Sequence, residues 1–425
     1  MTAFHDHYRF YRQRGPLFEA ESALPAAAPV APAARYIAYY LPQFHPIAEN
    51  DRWWGAGFTE WTNVTGGLPR YVGHYQPRCP ADLGFYDLRD AGVLRRQAEL
   101  AKRAGVHGFC IHHYWFSGVR LLEKPLDLLL ANPDIDLPFC LNWANESWSR
   151  RWDGSESDIL MEQRYAPGDD IAFAESILPA LADPRYITVG GRPLLLIYRP
   201  GDMPEPRRTM DAIRDRIVRA GLPDPLIVMP QVFEAYDPRP FGMDAAAGFP
   251  PHGGPWSLPN DRASLQLLDP AFAGTAIDYA AMAQRLLENR GGDYQLFPCV
   301  APCWDNEARK GRASLGFYGS TPARYGAWLR AASRRTCEDN SGDARLVFIN
   351  AWNEWAEGAY LEPDRHFGHA YLAETRRALD GFEHADAAPE DAPAYPPPAF
   401  RASPSPRHRI VDFARRARRK AARLL

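Results

Sequence analysis

The segment from Phe348 to Gly358 reads FINAWNEWAEG. It continues an apolar run, Leu346–Ile349, whose length and β-branched content are typical of a buried strand. Asn353 and Glu354 come where such a strand should end. Glu357 follows three residues later, a spacing that places two side chains on the same side of one helical turn. We therefore expect two carboxylates side by side at the end of a buried strand.

Paired carboxylates beside aromatic rings are typical of sites that break glycosidic bonds. One carboxyl gives a proton to the leaving oxygen, the other acts as base or nucleophile, and the rings can stack on sugar faces. The alternative for any such pair is a solvated helix turn with its tryptophans in the core. Glu354 and Glu357 are accordingly the candidate catalytic residues, and the rest of the chain decides between the two interpretations.

Short apolar runs followed by polar or aromatic residues recur along the chain. Eight candidate strands begin near residues 36, 108, 137, 194, 226, 244, 296 and 346, and helical windows lie between several of them, with one more after the last. The clearest windows are Asp87–Ala104, Tyr279–Glu288, Pro322–Arg335 and His366–Leu379. Continuous apolar strands are typical of a parallel sheet covered on both faces. The fold class predicted is α/β, a (β/α)8 TIM barrel with loop insertions.

A doubly wound sheet is the rival architecture. It normally carries a glycine-rich phosphate loop after its first strand. Here that position reads Leu41-Pro42-Gln43-Phe44, without glycine. We therefore prefer the barrel.

The sequence predicts four regions. Residues 1–34 end in an Ala/Pro-rich run and are expected to form a flexible segment. The barrel spans 35–383, and a Pro/Ala-rich linker covers 384–406. Residues 407–425 are predicted to form a basic amphipathic helix that can dock on an anionic membrane surface. A soluble, disordered basic tail or a weak nucleic-acid contact is the alternative.

Composition favours an ordinary globular enzyme. Hydrophobic residues make up 46% of the 425-residue chain and charged residues 24%, and the formal net charge is −3. The six cysteines show no zinc-type spacing. No apolar run reaches the ~18 residues of a membrane span. We predict a reduced, cytoplasmic protein that can lie peripherally at the inner face of the plasma membrane and has no nucleic-acid partner.

In a TIM barrel the active site lies at the C-terminal ends of the strands. Residues near those ends, in the long first loop or beside the two glutamates are therefore candidates for binding sugar hydroxyls and faces. Core packing or capping is the alternative for each one. No metal or other cofactor is predicted. The candidate substrate-binding residues are Tyr40, Trp54, Glu60, His112, His113, Trp143, Asn145, Glu146, Tyr198, Gln231, Trp304, Trp352 and Asn353.

Five ordered motifs resemble the WbsX family, a group similar to glycoside hydrolase family 99. The motifs are Tyr39–His45, Trp53–Gly55, Gly57–Trp61, Asn142–Glu146 and Trp352–Trp355. The resemblance covers roughly residues 35–382. It implies a TIM barrel and a role in bacterial surface polysaccharide, such as O-antigen.

The family 99 enzymes in this comparison are endo-α-mannosidases. Their catalytic segment is similar to Asn353–Gly358, with a Glu-Pro shortly after, matched here by Glu362-Pro363. The resemblance implies that Glu354 is the base acting on the sugar 2-hydroxyl, with a 1,2-anhydro intermediate and retention of configuration. It implies that Glu357 is the general acid/base at the leaving oxygen. Mannose specificity does not carry over, because the WbsX group differs from the endomannosidases outside this segment.

Three functions compete. The first is a retaining glycoside hydrolase or transglycosylase acting on an oligo- or polysaccharide, which can be lipid-linked. The second is a nucleotide-sugar-dependent glycosyltransferase of lipopolysaccharide biosynthesis, for which Asp134-Ile135-Asp136 fits a DxD motif formally. That motif precedes the third strand, at the wrong end of a barrel. The third is a non-catalytic glycan-binding scaffold, which the two glutamates disfavour.

Overall fold

The computed structural model describes residues 2–150, 155–233, 236–381 and 388–392. Parallel strands form a barrel, and we number them β1 to β8 in chain order. Neighbouring strands pair in the order β7-β6-β5-β4-β3-β2-β1-β8, and β8 pairs again with the second half of β7. The strands are Arg35–Tyr40, Val106–Phe116, Phe139–Trp143, Arg192–Ile197, Leu226–Pro230, Ala245–Ala247, Gln295–Phe297 continued as Cys299–Val300, and Leu346–Ile349.

The seventh strand closes the circle in two halves. Gln295–Phe297 pairs with β6 and Cys299–Val300 pairs with β8. Pro298 stands between them; it has no N–H to give to a ladder, but its carbonyl still accepts from the Phe348 amide at 2.9 Å. The predicted (β/α)8 barrel is confirmed, and every predicted strand is present.

The barrel strands are apolar because both of their faces are covered. All five residues of Leu226–Pro230 and all four of Leu346–Ile349 are buried. Side chains alternate between the barrel interior and the surrounding helices, as the two-residue period of a strand requires. This alternation decides below which residues can reach the site.

Helices follow seven of the eight strands. After β5 the described residues contain only a 3-10 turn, Arg239–Phe241, so the fifth unit departs from the expected pattern. The helices are Thr2–Tyr11, Ala48–Trp54, Glu60–Gly66, Ala91–Arg103, Lys124–Ala131, Asp169–Leu181, Pro206–Arg219, Tyr279–Glu288, Glu307–Lys310, Pro322–Asp339 and Ala370–Gly381. Short strands outside the barrel are Val119–Leu121, Trp148–Arg150, Ser155–Met161, Thr188–Val189, Thr275–Asp278, Leu315–Tyr318, Asn353–Glu354 and Ala359–Tyr360.

Cap residues explain two helix boundaries. The window predicted from Asp87 begins as a helix at Ala91, because Asp90 accepts a hydrogen bond from the Gly92 amide and acts as the N-cap. Thr321 caps the helix Pro322–Asp339 in the same way, through the Arg324 amide.

The first part of the N-terminal segment differs from the expected flexible stretch. Its helix carries His7 and Tyr11, which are buried, and the Tyr11 ring stacks on Tyr75. Glu19 pairs with Arg377 near the chain's last described helix. Aromatic side chains thus attach this segment to the barrel, while the Ala/Pro run after Leu24 is mostly exposed. The predicted tail 407–425 and most of the linker 384–406 lie outside the described residues.

Within the described ranges, no helix combines the length and apolar character needed to cross a bilayer. All six cysteines fall inside those ranges and are free thiols.

Candidate active site

The segment after β8 forms a tight hairpin. Asn353–Glu354 pairs antiparallel with Ala359–Tyr360, and a 3-10 turn, Trp355–Glu357, joins them. Residues three apart are aligned in a 3-10 turn, which brings Glu354 and Glu357 to one side. Gly358 has φ +61°, and a Cβ there would lie 2.8 Å from the Arg78 guanidinium, so only glycine fits.

Arg309 ties three carboxylates together. Its Nη1 donates to Oε1 of Glu357 at 2.6 Å, and its Nη2 donates to Oε1 of Glu354 at 3.1 Å. The same Nη2 lies 3.2 Å from Oε2 of Glu60. These residues follow β7, β8 and β1, which are neighbours in the barrel, so the cluster sits at the C-terminal ends of three adjacent strands.

The two catalytic candidates differ in exposure. Glu354 is 6% exposed, whereas the Glu357 side chain is 28% exposed. The second carboxylate oxygen of Glu357 accepts from Trp304 Nε1 at 2.8 Å. Glu357 is therefore held on both oxygens yet remains open to the cleft, as a group that exchanges protons with a ligand must be.

Burial and neighbouring charges decide the protonation state of Glu354. Burial raises the pKa of Glu354 to about 8; the charges of Glu357 and Glu60 act in the same direction, and Arg309 opposes them. The pKa of Arg309 is raised because these carboxylates outweigh its burial. Glu354 therefore keeps its proton up to mildly alkaline pH.

This burial has a measurable consequence for stability. A carboxyl whose pKa is raised on folding binds more protons in the folded state, so its contribution to stability is lost as pH rises from about 4.5 to 8. We expect Glu354→Gln to be more stable than the parent protein at pH 8.5, on the order of 3 kcal/mol. The gain should shrink towards pH 5. Urea unfolding at both pH values measures this gain in stability. An equal gain at both pH values would show that the pKa of Glu354 is not raised on folding.

The cluster opens into a cleft of about 410 Å³ at the C-terminal face of the barrel. Seven of the predicted site residues line it: Trp54, His112, Glu146, Tyr198, Trp304, Glu354 and Glu357. Aromatic, amide, imidazole and carboxylate groups in one cleft are suited to sugar faces and hydroxyls. Six other lining residues were not among the predicted binding residues: Gln43, Tyr114, Trp148, Phe249, His252 and Arg309.

Strand alternation separates the two histidines. His112 faces the cleft, and its Nδ1 lies 3.4 Å from Asn142 Nδ2. His113 faces the opposite side, towards the Phe173 ring on a surrounding helix. Burial lowers the pKa of His112 to about 4, so this ring is neutral at pH 7. Tyr114, two residues after His112, returns to the cleft side.

Tyr40 and Trp143 also point away from the cleft. The Tyr40 hydroxyl donates to Gln97 at 2.9 Å, on the helix Ala91–Arg103. The Trp143 ring stacks on Phe173, with centroids 3.9 Å apart. Both are packing residues between a strand and a helix.

Trp352 and Asn353 contact groups on the side of the hairpin that faces away from the cleft. The Asn353 carboxamide accepts from the Leu41 amide at 2.8 Å and donates to the Leu41 carbonyl at 3.0 Å. Trp352 donates to the buried carboxyl of Glu362 at 3.0 Å. Neither side chain lines the cleft.

Glu362 anchors the same hairpin. Its carboxyl accepts hydrogen bonds from four side chains, and burial raises its pKa to about 7 despite them. The donors are Tyr86 at 2.8 Å, Gln97 at 2.7 Å, Trp352 at 3.0 Å and Trp355 at 2.6 Å.

Two further candidates hold neighbouring loops. Asn145 is fully buried and bonds Tyr165 and both backbone polar groups of Arg199. Gln231 bonds Tyr294 and Asn289 beside a separate small cavity. Neither lines the cleft.

The formal DxD motif is remote from the cleft. Asp134 pairs with Arg95 and Asp136 with Lys102, both on the helix Ala91–Arg103. These aspartates precede β3, whereas the cleft lies beyond the strands' C-terminal ends.

Two kinds of signal could have identified the missed residues. Tyr114 follows from alternation once His112 is assigned to the interior. Gln43, whose Nε2 donates to the Tyr114 hydroxyl at 2.7 Å, lies inside the first family motif. Arg309 stands nine residues beyond β7, and nothing in its local sequence marks it.

The fold resembles solved carbohydrate-active enzymes. A glycoside hydrolase-like protein aligns with a TM-score of 0.54 and 14% identity, covering 88% of this chain and 98% of that one. The family 99 endo-α-mannosidase of Bacteroides thetaiotaomicron aligns with a TM-score of 0.51 and 15% identity, covering 82% and 97%. Identities this low establish the fold alone.

The sequence has nearer relatives in Xanthomonas campestris pv. campestris. The uncharacterized protein WxcX of strain ATCC 33913 is 46% identical over 357 residues, which is 84% of this chain and 50% of the relative. That of strain B100 is 46% identical over 358 residues. The chain therefore spans about half the length of these relatives. The model of the family described as Glycosyltransferase WbsX matches residues 36–375, and the chain belongs to that family.

Proposed function

We propose that the chain is a retaining carbohydrate-active enzyme that cleaves or transfers glycosidic bonds in bacterial surface polysaccharide. The main supporting observation is that Glu354 and Glu357 both accept hydrogen bonds from the Arg309 guanidinium, in a cleft that is lined by aromatic residues. The family's description and the fold of its glycoside hydrolase neighbours support a glycan substrate.

In the proposed reaction Glu354 acts from its ionised form, and Glu357 supplies the proton that the leaving oxygen needs. Burial raises the pKa of Glu354, which makes its carboxylate a stronger base once it is ionised. Glu354 removes the proton of the sugar 2-hydroxyl, and that oxygen attacks the anomeric carbon. The bond to the leaving oxygen breaks, and Glu357 protonates that oxygen. Water or an acceptor hydroxyl then opens the 1,2-anhydro sugar, returning one proton to Glu357 while Glu354 gives its proton back to the 2-oxygen.

The rate should depend on pH through the ionisation of Glu354. We expect kcat/KM to rise as pH increases towards about 8, where Glu354 loses its proton and can act as the base. Because the charge of Glu60 raises the pKa of Glu354, Glu60→Gln should move this rising limb to lower pH. Initial rates between pH 5 and 10 measure it. Glu205→Gln, at an exposed position, is the control, and an unmoved limb in Glu60→Gln would refute the coupling.

A nucleotide-sugar-dependent glycosyltransferase is the second candidate, favoured by the name of the matched family. Mass spectrometry of purified protein with two substrate pools separates the candidates. The first pool holds α-linked mannose and rhamnose oligosaccharides and lipid-linked glycans; the second adds nucleotide sugars. Shortened or re-joined glycans that disappear in Glu354→Gln support our proposal. Glycans lengthened by one sugar, with nucleotide released, would establish the transferase instead.

The C-terminal sequence supports a separate proposal of location. Residues 407–425 carry eight Arg and Lys against one Asp, and we propose that they dock the protein on the inner face of the plasma membrane. Deleting them should reduce sedimentation with phosphatidylserine vesicles and leave the thermal midpoint almost unchanged. Equal sedimentation of both proteins would remove this proposal.

A further inference from the structure

A second hollow of about 710 Å³ adjoins the cleft. Tyr198, Phe233 and His252 line both cavities, so the two are continuous. The volume falls in the range of roughly 300–1,000 Å³ in which proteins bind whole small ligands. The catalytic chemistry described above uses none of this space.

Exposed aromatic rings border the second hollow. Phe233 is 43% exposed and Trp256 is 40% exposed, although large aromatic surfaces are normally buried. Both rings are held in place: Trp256 stacks on Phe317 with centroids 5.5 Å apart, and the Arg199 guanidinium lies 4.2 Å from the Phe233 centroid. Rings held in this way offer flat faces that a pyranose can cover at little cost in conformational entropy.

The hollow lies on the side of the general acid. Trp256 contacts the edge of Trp304, with centroids 5.6 Å apart and an interplanar angle of 69°. Trp304 in turn donates to the carboxylate of Glu357. Since Glu357 protonates the leaving oxygen in the proposed reaction, the part of the substrate beyond that oxygen departs towards Trp256.

The polar groups of the hollow fit neutral hydroxyls. The positive charge of Arg199 is outweighed by the two carboxylates of Asp202 at 2.9 Å and Glu146 at 3.4 Å, so the hollow disfavours an anionic sugar. His252 accepts the Phe233 amide on Nδ1 at 3.1 Å, and burial lowers its pKa to about 4. The neutral ring therefore carries its proton on Nε2, where it is a donor for a sugar hydroxyl.

We propose that this hollow binds uncharged sugar residues on the leaving-group side of the scissile bond, with Trp256 and Phe233 as stacking platforms. The leaving group is then a sugar chain of two or more residues, not a small aglycone. This inference rests on the proposed function, because the roles of Glu354 and Glu357 define which side of the scissile bond carries the leaving group.

Fluorine NMR of the full chain tests the subsite without turnover. Glu354→Gln protein, which keeps the Trp304–Glu357 contact, is labelled with 5-fluorotryptophan and titrated with α-linked mannose and rhamnose di- and tetrasaccharides. Trp256→Phe identifies the Trp256 signal. We expect a tetrasaccharide to shift the signals of both Trp304 and Trp256, and the matching disaccharide to shift Trp256 much less.

Affinity gives the second measurement. Lengthening the ligand from two to four sugars should raise affinity, and Trp256→Ala should reduce that gain at least tenfold. Trp256→Phe should keep most of it, since a ring remains. Val218→Ala, at an exposed apolar position on the helix Pro206–Arg219, should keep all of it.

The outcomes separate the two proposals. A tetrasaccharide that shifts Trp304 but leaves Trp256 unmoved would overturn the subsite and leave the proposed function standing. Shifts at both signals without cleavage by the parent protein would support the subsite and count against the reaction. If no glycan of the panel moves any tryptophan signal, both proposals fall.

Discussion

Glu357→Gln is expected to lower turnover of ordinary glycosides by about 10²–10⁴-fold, while glycan affinity stays nearly unchanged. The amide keeps the shape of the carboxyl and can still accept the Trp304 hydrogen bond, but it cannot give a proton to the leaving oxygen. Steady-state kinetics and calorimetric titration with the same oligosaccharide measure the two quantities. Glu205→Gln should match the parent protein in both.

The leaving group distinguishes an acid from a base at this position. A glycosyl fluoride departs without needing a full proton, so Glu357→Gln should recover most of its activity on that substrate. Glu354→Gln should not recover, since attack by the 2-hydroxyl still requires a base. Recovery in Glu354→Gln alone would reverse the two roles. Unchanged activity of Glu357→Gln on all substrates would exclude it from the chemistry.

Arg309→Gln is expected to cost about 3–5 kcal/mol of unfolding free energy at pH 8, because it leaves buried carboxylates without their cation. The loss of Arg309 raises the pKa of Glu354 further, so the folded state binds still more protons than the unfolded chain. The destabilisation should therefore diminish as pH falls towards 5. Activity should be lost at every pH, since Glu357 loses one of its two holding hydrogen bonds.

Urea unfolding at pH 5 and pH 8 tests this expectation. Arg312→Gln is the matched control: Arg312 lies three residues away, is largely exposed and pairs with Asp269 at the surface. It should leave the unfolding midpoint nearly unchanged at both values. If Arg309→Gln is as stable as Arg312→Gln at pH 8, the three carboxylates are not held by one guanidinium in solution.

The barrel was predictable because its signal is local. Each parallel strand carries its own apolar run, so even Ala245–Ala247, the weakest, could be recognised. The sequence gives no comparable signal for the break of β7 at Pro298. It also gives none for the lack of a helix after β5 in the part of the chain that the structure describes. The docking of residues 2–24 depends on partners such as Tyr75 and Arg377, which are distant in sequence.

The site was predictable only in part, for a related reason. Position after a strand identifies residues near the cleft, but the direction of a side chain depends on alternation. Thus His112 reaches the cleft while His113 does not. Amides such as Asn353 and Asn145 satisfy backbone groups of neighbouring loops, and this use looks the same in sequence as sugar binding.

The anchoring of the hairpin that carries Glu354 and Glu357 bears on how this family can diversify. The groups that hold it, Asn353 and Glu362 with their partners, come from the segments that follow β1 and β8. Several residues that line the cleft and the adjoining hollow, including Trp148, Phe233 and Trp256, come instead from segments after β3 to β6. Substitutions in these walls leave the hairpin anchors untouched. Under the proposed function, such substitutions can change which glycan is bound while Glu354 and Glu357 stay in place.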